Sequence, residues 1–300
     1  MRWLLLPALL RPPLLSAAVQ DSAQPFVPFA PRAYRLVNGV GFSPDDRLMY
    51  FALLYREVLA HRGSPDTTAA ELALFVARRQ GDGWTEPELL PFSGNHADYE
   101  PALSPDGSRL IFNSQRPHAD GRVPSRNDLW MVERRGTGWS APRPLSAVNS
   151  FDLEESYATI DRDRRVVYVR GPTVEGGDDY DLYETRVLAD GTATEPRRLP
   201  FSDHRFGEGD PQLAADGSFV IFTRWDHTVG WRETCDLFLA FRRGDGWAEP
   251  VALSEMNSAG PDYAPALSSD GNWLYYRAGG RFVRVPLAPV VASARAQSEP

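Results

Sequence analysis

The fold is decided by residues 98–114, which read DYEPALSPDGSRLIFNS and recur in recognisable copies along the chain. The stretch has the form of two strands joined by a turn. Pro105–Gly107 suits a tight turn, because proline presets φ and glycine accepts a positive φ. Leu110–Phe112 is an apolar run suited to a strand that is buried on both faces. The stretch therefore predicts the first two strands of a repeated β unit.

Five copies of the turn can be aligned on their aspartate. These turn aspartates are Asp45, Asp106, Asp163, Asp216 and Asp270. Their spacings of 61, 57, 53 and 54 residues suit a four-stranded propeller blade better than a helical solenoid repeat. We expect each aspartate to cap its own turn, on the face of the propeller opposite the long loops.

The outer part of each repeat supplies two more strands. The third strand shows as an Asp-Leu-aromatic pattern, for example at Asp128–Trp130, and the fourth carries Trp-x-x-Pro-x-x-Leu. Proline removes a ladder hydrogen bond and is tolerated mainly at a sheet edge, so the fourth strand should form the outer rim. The fifth repeat lacks this strand, whereas Ala30–Asn38 aligns with the fourth strand at Ala141–Asn149. Residues around 29–36 are therefore predicted to complete the last blade and close the ring.

The sequence thus predicts an all-β fold, a five-bladed β-propeller of four-stranded antiparallel blades, closed by an N-terminal strand that joins the last blade. Its predicted bounds are residues 29–287. Residues 1–18, with an early positive charge, an apolar run and small residues at Ser16–Ala18, are predicted to be a signal peptide. Residues 19–28 should be a linker and residues 288–300 a disordered tail. No later segment approaches the ~18 apolar residues that span a bilayer, so an exported protein, periplasmic or secreted, is expected.

Composition excludes several classes of function. The chain has 300 residues and a formal net charge of -8, and all 32 of its fixed positive side chains are arginines. Lysine chemistry is therefore excluded, and nucleic acid is not an expected partner. Cys235 is the single cysteine, so the chain can form neither an internal disulfide nor a cysteine-based metal cluster.

The repeat pattern as a whole resembles the TolB-like β-propeller repeat, a bacterial relative of the WD-repeat blade. The shared features are the Pro-Asp turn, the apolar run, the Asp-Leu-aromatic strand and the Trp-x-x-Pro-x-x-Leu strand, over roughly residues 29–287. The resemblance implies a mostly non-enzymatic binding or scaffold module of the cell envelope. It also implies that relatives with enlarged channel sites are polysaccharide lyases or the propeller halves of serine peptidases. This sequence departs from the peptidases, because it has no Gly-x-Ser-x-Gly elbow.

Two series of charged residues recur at equivalent positions and are expected near the channel mouth, on the face that carries the long loops. The acidic series, just before the first strands, is Asp98, Glu155, Glu208 and Asp262, and the basic series, just past the second strands, is Arg116, Arg170, Arg224 and Arg277. One interpretation is a circle of Arg–carboxylate pairs that ties adjacent blades together. The other is a polar pocket for a carbohydrate, a peptide or an anionic group.

A loop in the fourth repeat is the stretch most typical of a binding site. Residues 225–231 read WDHTVGW and place Trp225, His227 and Trp231 together. Two indoles in a short loop suit stacking on a sugar or a peptide. The alternative is that one of the tryptophans packs down on the top of the blade.

Metal binding is a weaker hypothesis. The candidate ligands are His96, which is close to Asp98, and His204, which is close to Asp210. Neither cluster matches a defined metal motif. We therefore expect no cofactor.

These patterns predict a binding or scaffold module whose ligand is a carbohydrate, a peptide or an envelope protein, held at the loop-rich channel face. We expect a monomer with no membrane span. The alternative is a carbohydrate-active hydrolase or lyase that uses the channel-mouth carboxylates or a His-bound metal, and the sequence identifies no catalytic residue. An unpaired carboxylate pair facing an open pocket would favour the enzyme, and a mouth filled with Arg–acid pairs would count against it.

Overall fold

The computed structural model describes residues 23–26, 28–29, 34, 36–150, 152–172, 177, 179–202 and 205–298. The predicted signal peptide lies outside the described residues. The described chain forms five antiparallel sheets, four built from one sequence repeat each and the fifth from the last repeat and an N-terminal strand. The predicted five-bladed β-propeller is therefore confirmed.

The strands follow one another from the channel to the rim in each blade. The N-terminal strand β1 (Gln24–Pro25) belongs to the last blade. Blade 1 contains β2 (Leu36–Phe42), β3 (Leu48–Leu54), helix α1 (Tyr55–His61), β4 (Leu72–Gln80), β5 (Gly83–Trp84) and β6 (Glu88–Leu89). Blade 2 contains β7 (Asp98–Leu103), β8 (Arg109–Ser114), β9 (Asp128–Arg135), β10 (Gly138–Trp139) and β11 (Arg143–Pro144). Blade 3 contains β12 (Glu154–Ile160), β13 (Arg165–Gly171), β14 (Asp181–Arg186) and β15 (Arg197–Arg198).

The last two blades follow the same order. Blade 4 contains β16 (Gly207–Leu213), β17 (Phe219–Trp225), helix α2 (Trp231–Thr234), β18 (Asp236–Arg243), β19 (Gly246–Trp247) and β20 (Val251–Ala252). Blade 5 contains β21 (Asp262–Leu267), β22 (Trp273–Ala278) and β23 (Arg281–Pro286), and helix α3 (Leu287–Ser298) follows it.

The hydrophobic core lies in the layers between neighbouring blades. The two faces of β8 show this arrangement, because Phe112 packs with Tyr50 of blade 1 and Ile111 packs with Tyr168 of blade 3. Each of these four side chains is at most 1% exposed. The apolar runs of the sequence are thus second strands buried on both faces, and their burial drives the blades together.

Most turn aspartates cap their turns as expected. Four of the five side chains accept a hydrogen bond from the backbone N–H two residues further along the chain. They are Asp45, Asp106, Asp216 and Asp270, with N···O distances of 3.1, 2.9, 3.0 and 2.9 Å. Asp163 departs from this pattern and forms an ion pair with Arg165, with 2.8 Å between Oδ2 and Nη1. Asp161 takes over the cap there by accepting the Arg165 N–H at 2.9 Å.

Ring closure uses an N-terminal strand, but one that lies earlier than the predicted residues 29–36. β1 pairs antiparallel with β23, and Pro25 lies opposite Val283. The predicted segment is wrong at Leu36, which lies in β2 and pairs with Leu53 of blade 1. Residues 30–33 and 35 lie outside the described residues. Pro25 fits an outer strand because no ladder donor is needed at the edge.

Aromatic contacts explain why the earlier segment closes the ring. Phe26 stands edge-on to Tyr275 and Phe282, with 4.8 and 5.3 Å between ring centroids, and its N–H donates to the Phe282 carbonyl at 2.9 Å. Phe29 instead lies 5.2 Å from the Phe51 ring of blade 1. The chain has therefore reached blade 1 by Phe29, before most of the predicted segment.

The C-terminal residues form a helix where the sequence analysis expected a disordered tail. Helix α3 buries Leu287, Val290 and Ala294, which join the core cluster between blades 4 and 5. These positions follow the i, i+3, i+7 spacing of one helix face, and the alanines around them favour helix. The tail prediction is therefore wrong as far as Ser298. Within the described ranges, no helix combines the length and the apolar character that crossing a bilayer requires.

Candidate functional site

The acidic series of the sequence is buried, and each of its residues is at most 1% exposed. Three members form ion pairs with the arginine of the same blade, at Arg116–Asp98 (2.7 Å), Arg170–Glu155 (2.9 Å) and Arg224–Glu208 (2.5 Å). The last arginine behaves differently, since Arg277 donates to the Leu36 carbonyl of blade 1 at 2.9 Å. The two charged series thus meet in blades 2, 3 and 4, and Arg277 instead links blade 5 to blade 1.

Each buried carboxylate also binds a serine from the connection that enters its blade. The donating hydroxyls belong to Ser93, Ser150, Ser202 and Ser258, and they bind Asp98, Glu155, Glu208 and Asp262 respectively. The three paired arginines reach the same connections, where they donate to the carbonyls of Phe92, Val148 and Phe201. This charged ring therefore fastens blades 2–5 to the chain that arrives from the preceding blade, which favours the structural interpretation.

Burial makes Glu155, Glu208 and Asp262 harder to ionise than free carboxyl groups. It raises the pKa of Glu155 to about 7, although hydrogen bonds from Ser150 and the charge of Arg170 act in the opposite direction. It also raises the pKa of Asp262 to about 6, against the hydrogen bonds from Ser258. In Glu155 and Asp262 the serine and arginine contacts therefore offset only part of the effect of burial.

A second set of residues faces the channel, and of these the sequence analysis names only Asp210, as a weak candidate metal ligand. Each lies two positions after a ring acid, where the innermost strand forms a β-bulge. The set is Glu100, Tyr157, Asp210 and Ala264, with φ angles of 52°, 51°, 45° and 54°. A positive φ is uncommon outside glycine, and here the ladder on both sides of the bulge holds it in place. All four residues line the channel.

The bulges leave backbone donors that are satisfied from the neighbouring blade. The Tyr157 N–H donates to Oδ1 of Asn113 in blade 2 at 3.1 Å, and the Ala264 N–H donates to Oδ2 of Asp210 in blade 4 at 3.1 Å. The sequence does carry a signal for the bulges. Prolines occupy the next position in three blades, at Pro101, Pro211 and Pro265, and proline marks a point where ladder pairing is interrupted.

Two cavities share the central channel. The turn-face cavity has a volume of about 500 Å³ and reaches the turns at Pro44 and Pro105. The loop-face cavity has a volume of about 290 Å³ and reaches Trp231, at the start of α2. Tyr157 and Asp210 line both cavities and so lie between them.

Aromatic side chains wall the loop-face cavity. They are Tyr157, Tyr180, Trp225, Trp231 and Tyr263. Trp225 is buried and lies across β16, where a Cβ added to Gly207 would come within 2.2 Å of the indole. Trp231 is half-exposed and stands edge-on to Tyr263, with 5.8 Å between ring centroids. The two predicted tryptophans therefore meet at one cavity, one packed on the blade and one at the opening, whereas His227 lines neither cavity.

The charged residues that line the loop-face cavity are all acidic. They are Glu154, Glu208 and Asp210. Glu154 accepts hydrogen bonds from Asn127 Nδ2 at 3.0 Å and from the Tyr180 hydroxyl at 3.4 Å. Burial raises the pKa of Asp210 to about 6. The cavity therefore combines aromatic walls with an excess of carboxylates.

The predicted metal ligands do not come together in the part of the chain that the structure describes. No group of three or more His, Cys, Asp or Glu side chains is placed there to hold a metal ion. Asp210 lies in the channel, His96 is half-buried before β7, and His204 lies outside the described residues. Cys235 is buried, and burial raises the pKa of its thiol, which stays neutral.

No protein-family model matches the sequence, and no curated protein matches it significantly. Solved structures do resemble the fold. The α-L-arabinofuranosidase from Lactobacillus brevis gives a TM-score of 0.54 at 12% identity, over 89% of this chain and 93% of that one. A protein assigned as a TolB from Agrobacterium tumefaciens gives 0.49 at 16% identity, over 80% of this chain and 68% of that one.

An oligogalacturonate lyase from Vibrio parahaemolyticus gives a TM-score of 0.47 at 11% identity, over 85% of this chain and 66% of that one. The chain thus spans about two thirds of the length of the lyase and of the TolB-assigned protein. The likeness covers the fold alone. Function has to be argued from the site.

Proposed function

We propose that this protein is a propeller binding module that holds a small ligand, or one side chain of a larger partner, in the loop-face cavity. The observation that carries the proposal is the cavity itself, about 290 Å³ in volume, with five aromatic residues and a few carboxylates in its walls. Mostly apolar walls with a small number of convergent polar groups are the usual composition of a ligand pocket. A carbohydrate, a peptide and a protein partner are the candidate ligands.

The charged ring supports a binding module over an enzyme that uses the ring carboxylates. Asp98, Glu155 and Glu208 are each held by an arginine and a serine, and Asp262 is held by Ser258. Groups engaged in this way lose their structural bonds if they exchange a proton with a substrate. The ring is therefore better suited to fixing the shape of the channel mouth than to chemistry.

Replacing Trp231 with alanine should weaken ligand binding about tenfold or more, because the change removes the aromatic wall at the cavity opening. The free energy of unfolding should change by less than about 1 kcal/mol, because the side chain is half-exposed. Ligands are found by screening the wild-type chain on glycan and peptide arrays, and affinities of the hits are then measured by calorimetry.

The matched control is Trp84→Ala, which removes a half-buried tryptophan from the outer rim of blade 1. This variant should bind the same hits with unchanged affinity. Hits that bind Trp231→Ala as tightly as the wild type would show that the loop-face cavity is not the binding site.

A hydrolase or lyase is a second candidate, favoured by one observation between the two cavities. The raised pKa of Asp210, about 6, suits a general acid or base at slightly acid pH. Tyr157 keeps its proton there, because burial and the nearby carboxylates of Asp210 and Glu100 raise the pKa of its phenol. Turnover of a chromogenic glycoside or a polysaccharide that Asp210→Asn abolishes would replace the binding proposal with the enzyme.

We also propose that the protein is exported, on the strength of the signal-like residues 1–18. In a bacterial host, the full chain should reach the periplasm or the medium in a shortened form, and mass spectrometry of its N-terminus should locate the cleavage. A variant without residues 2–18 should stay in the cytoplasm. Full-length protein found in the cytoplasm with its first residues intact would contradict export.

A further inference from the structure

Three carboxylates line the loop-face cavity, and only that of Glu208 forms an ion pair among the residues that the structure describes. Arg224 binds Glu208 through Nε at 3.0 Å and Nη2 at 2.5 Å, and Nη2 also donates to the Phe201 carbonyl. Glu154 and Asp210 form no ion pair within the described part of the chain, and their donors there are an amide, a phenol and a backbone N–H. Two carboxylates therefore line a small space without a counter-charge, an arrangement that is unfavourable away from bulk water.

The same space is walled by rings whose faces attract cations. Trp231 and Tyr263 meet at the opening at an interplanar angle of 73°, while Tyr157 lies deeper, beside Asp210. Tyr180 lines the wall and donates its hydroxyl to Glu154. Trp231 and Tyr263 already have an arginine near them, with Arg232 Cζ 5.0 Å and Arg277 Cζ 5.9 Å from the ring centroids. The face of an aromatic ring carries negative charge density, so a cation placed deeper, beside Tyr157 and Tyr180, is attracted by these rings and by the two carboxylates.

We infer that the ligand of the loop-face cavity is an organic cation, bound through an ammonium or guanidinium group. The inference rests on the proposed function and narrows its ligand class. The volume of about 290 Å³ admits one such group and excludes an extended chain of sugars. A neutral sugar residue would stack on the same rings, but it would leave both carboxylates without a counter-charge. Charge is therefore the property that separates the two ligand classes.

Calorimetry on the full chain at low ionic strength tests the inference with two pairs of probes matched in shape. Choline is compared with its uncharged carbon isostere dimethylbutanol, and N-acetylarginine amide is compared with the uncharged N-acetylcitrulline amide. The first pair represents a free ammonium compound, and the second represents a basic side chain of a peptide. At least one cation should bind about tenfold or more tightly than its neutral twin.

Variants of the two uncompensated carboxylates localise the effect. Asp210→Asn should weaken binding of the preferred cation about tenfold and leave the neutral twin unaffected. Glu154→Gln provides the same test if the Asp210 variant does not fold. The control is Glu249→Gln, which makes the same charge change at an exposed position on the rim of blade 4 and should bind like the wild type.

The possible results separate failure of the inference from failure of the proposed function. Equal binding of charged and neutral twins, or an equal loss in the Glu249 variant, overturns the inference. Trp231-dependent binding of a neutral saccharide also overturns it, while the proposed binding function stands. If no array ligand and no probe binds in a Trp231-dependent way, both the inference and the proposed function fall.

Discussion

Replacing Arg224 with methionine should lower the free energy of unfolding by about 3–5 kcal/mol, because the change leaves the buried carboxylate of Glu208 without its counter-charge. Both groups are well shielded, with side-chain exposures of 11% for Arg224 and 2% for Glu208. The substitution also removes a donor to the Phe201 carbonyl. Methionine keeps most of the side-chain volume, but it also removes the guanidinium from beside the rings of Phe222 and Phe238, which lie 5.4 and 5.2 Å from Arg224 Cζ. Urea denaturation of the variant and the wild type measures the difference.

The loss in free energy of unfolding caused by Arg224→Met should increase with pH. Burial already raises the pKa of Glu208 above its ordinary value of 4.5, and Arg224 and Ser202 oppose that rise. Without Arg224 the pKa in the folded state rises further. A carboxyl group whose pKa is raised by folding destabilises the fold as the pH increases through that pKa. The difference between variant and wild type should therefore be small below about pH 4.5 and should grow toward neutral pH.

The same substitution at Arg277 provides the control. Arg277 occupies the equivalent position in blade 5, but it donates to the Leu36 carbonyl and not to a carboxylate. Its loss should lower the free energy of unfolding by about 1.5–3 kcal/mol, with little dependence on pH. Equal losses in both variants at every pH would show that the pair in blade 4 is not the reason for the effect.

Replacing Gly207 with alanine should lower the free energy of unfolding by about 1–3 kcal/mol and close part of the loop-face cavity. The new Cβ would lie 2.2–2.4 Å from three ring atoms of Trp225, so the indole has to move. Trp225 forms one wall of the cavity and is buried against the blade. The effect is steric, because the φ angle of Gly207 is outside the region reserved for glycine. Ligand affinity should fall about tenfold.

A double-mutant cycle isolates the contact between the two side chains. In a Trp225→Leu background, Gly207→Ala should change the free energy of unfolding by less than about 0.5 kcal/mol, because the clashing ring is absent. Gly209→Ala should have a smaller effect than Gly207→Ala in the wild type, because its Cβ would lie 3.1 Å from Thr223 Oγ1 and 3.2 Å from the Trp225 ring. If the changes in the free energy of unfolding for Gly207→Ala and Trp225→Leu are additive, contact with Trp225 is not the reason why glycine is required at position 207.

The blades could be predicted because their signals are local and repeated. The Pro105–Gly107 turn and the Leu110–Phe112 run are each decided by neighbouring residues, and they recur at blade length. The closing strand could not be located in the same way. It contains only two residues, and its position is set by pairing with β23 and by the packing of Phe26, which no local motif records.

The helical end of the chain shows a different limit. The composition of residues 288–300, rich in alanine, serine and glutamine, predicts a disordered tail. The structure shows that three residues on one face, Leu287, Val290 and Ala294, are enough when blades 4 and 5 supply the opposing surface. The stability of such a helix comes from tertiary packing, and local composition does not reveal which surface the segment will pack against.

The candidate site was predictable only in part. Repetition made the ring acids and arginines visible, but it could not show that Arg277 would bind Leu36 instead of Asp262. The sequence does not identify the bulge positions as a set, because they hold four different residue types, and it points to Asp210 only as a weak candidate metal ligand. A search for recurring residues passes over positions such as Tyr157 and Asp210, although their backbone conformation is the same.

The four described bulge positions also bear on how such a protein diversifies. The strand register on either side fixes the backbone geometry of these positions. The side chain at the equivalent position is a carboxylate, a phenol, a second carboxylate and a methyl group in blades 2 to 5. The same fold therefore holds side chains of different chemistry at equivalent bulge positions without a change in strand register. A substitution at one of these positions can therefore change what the channel recognises without changing the packing of the blades.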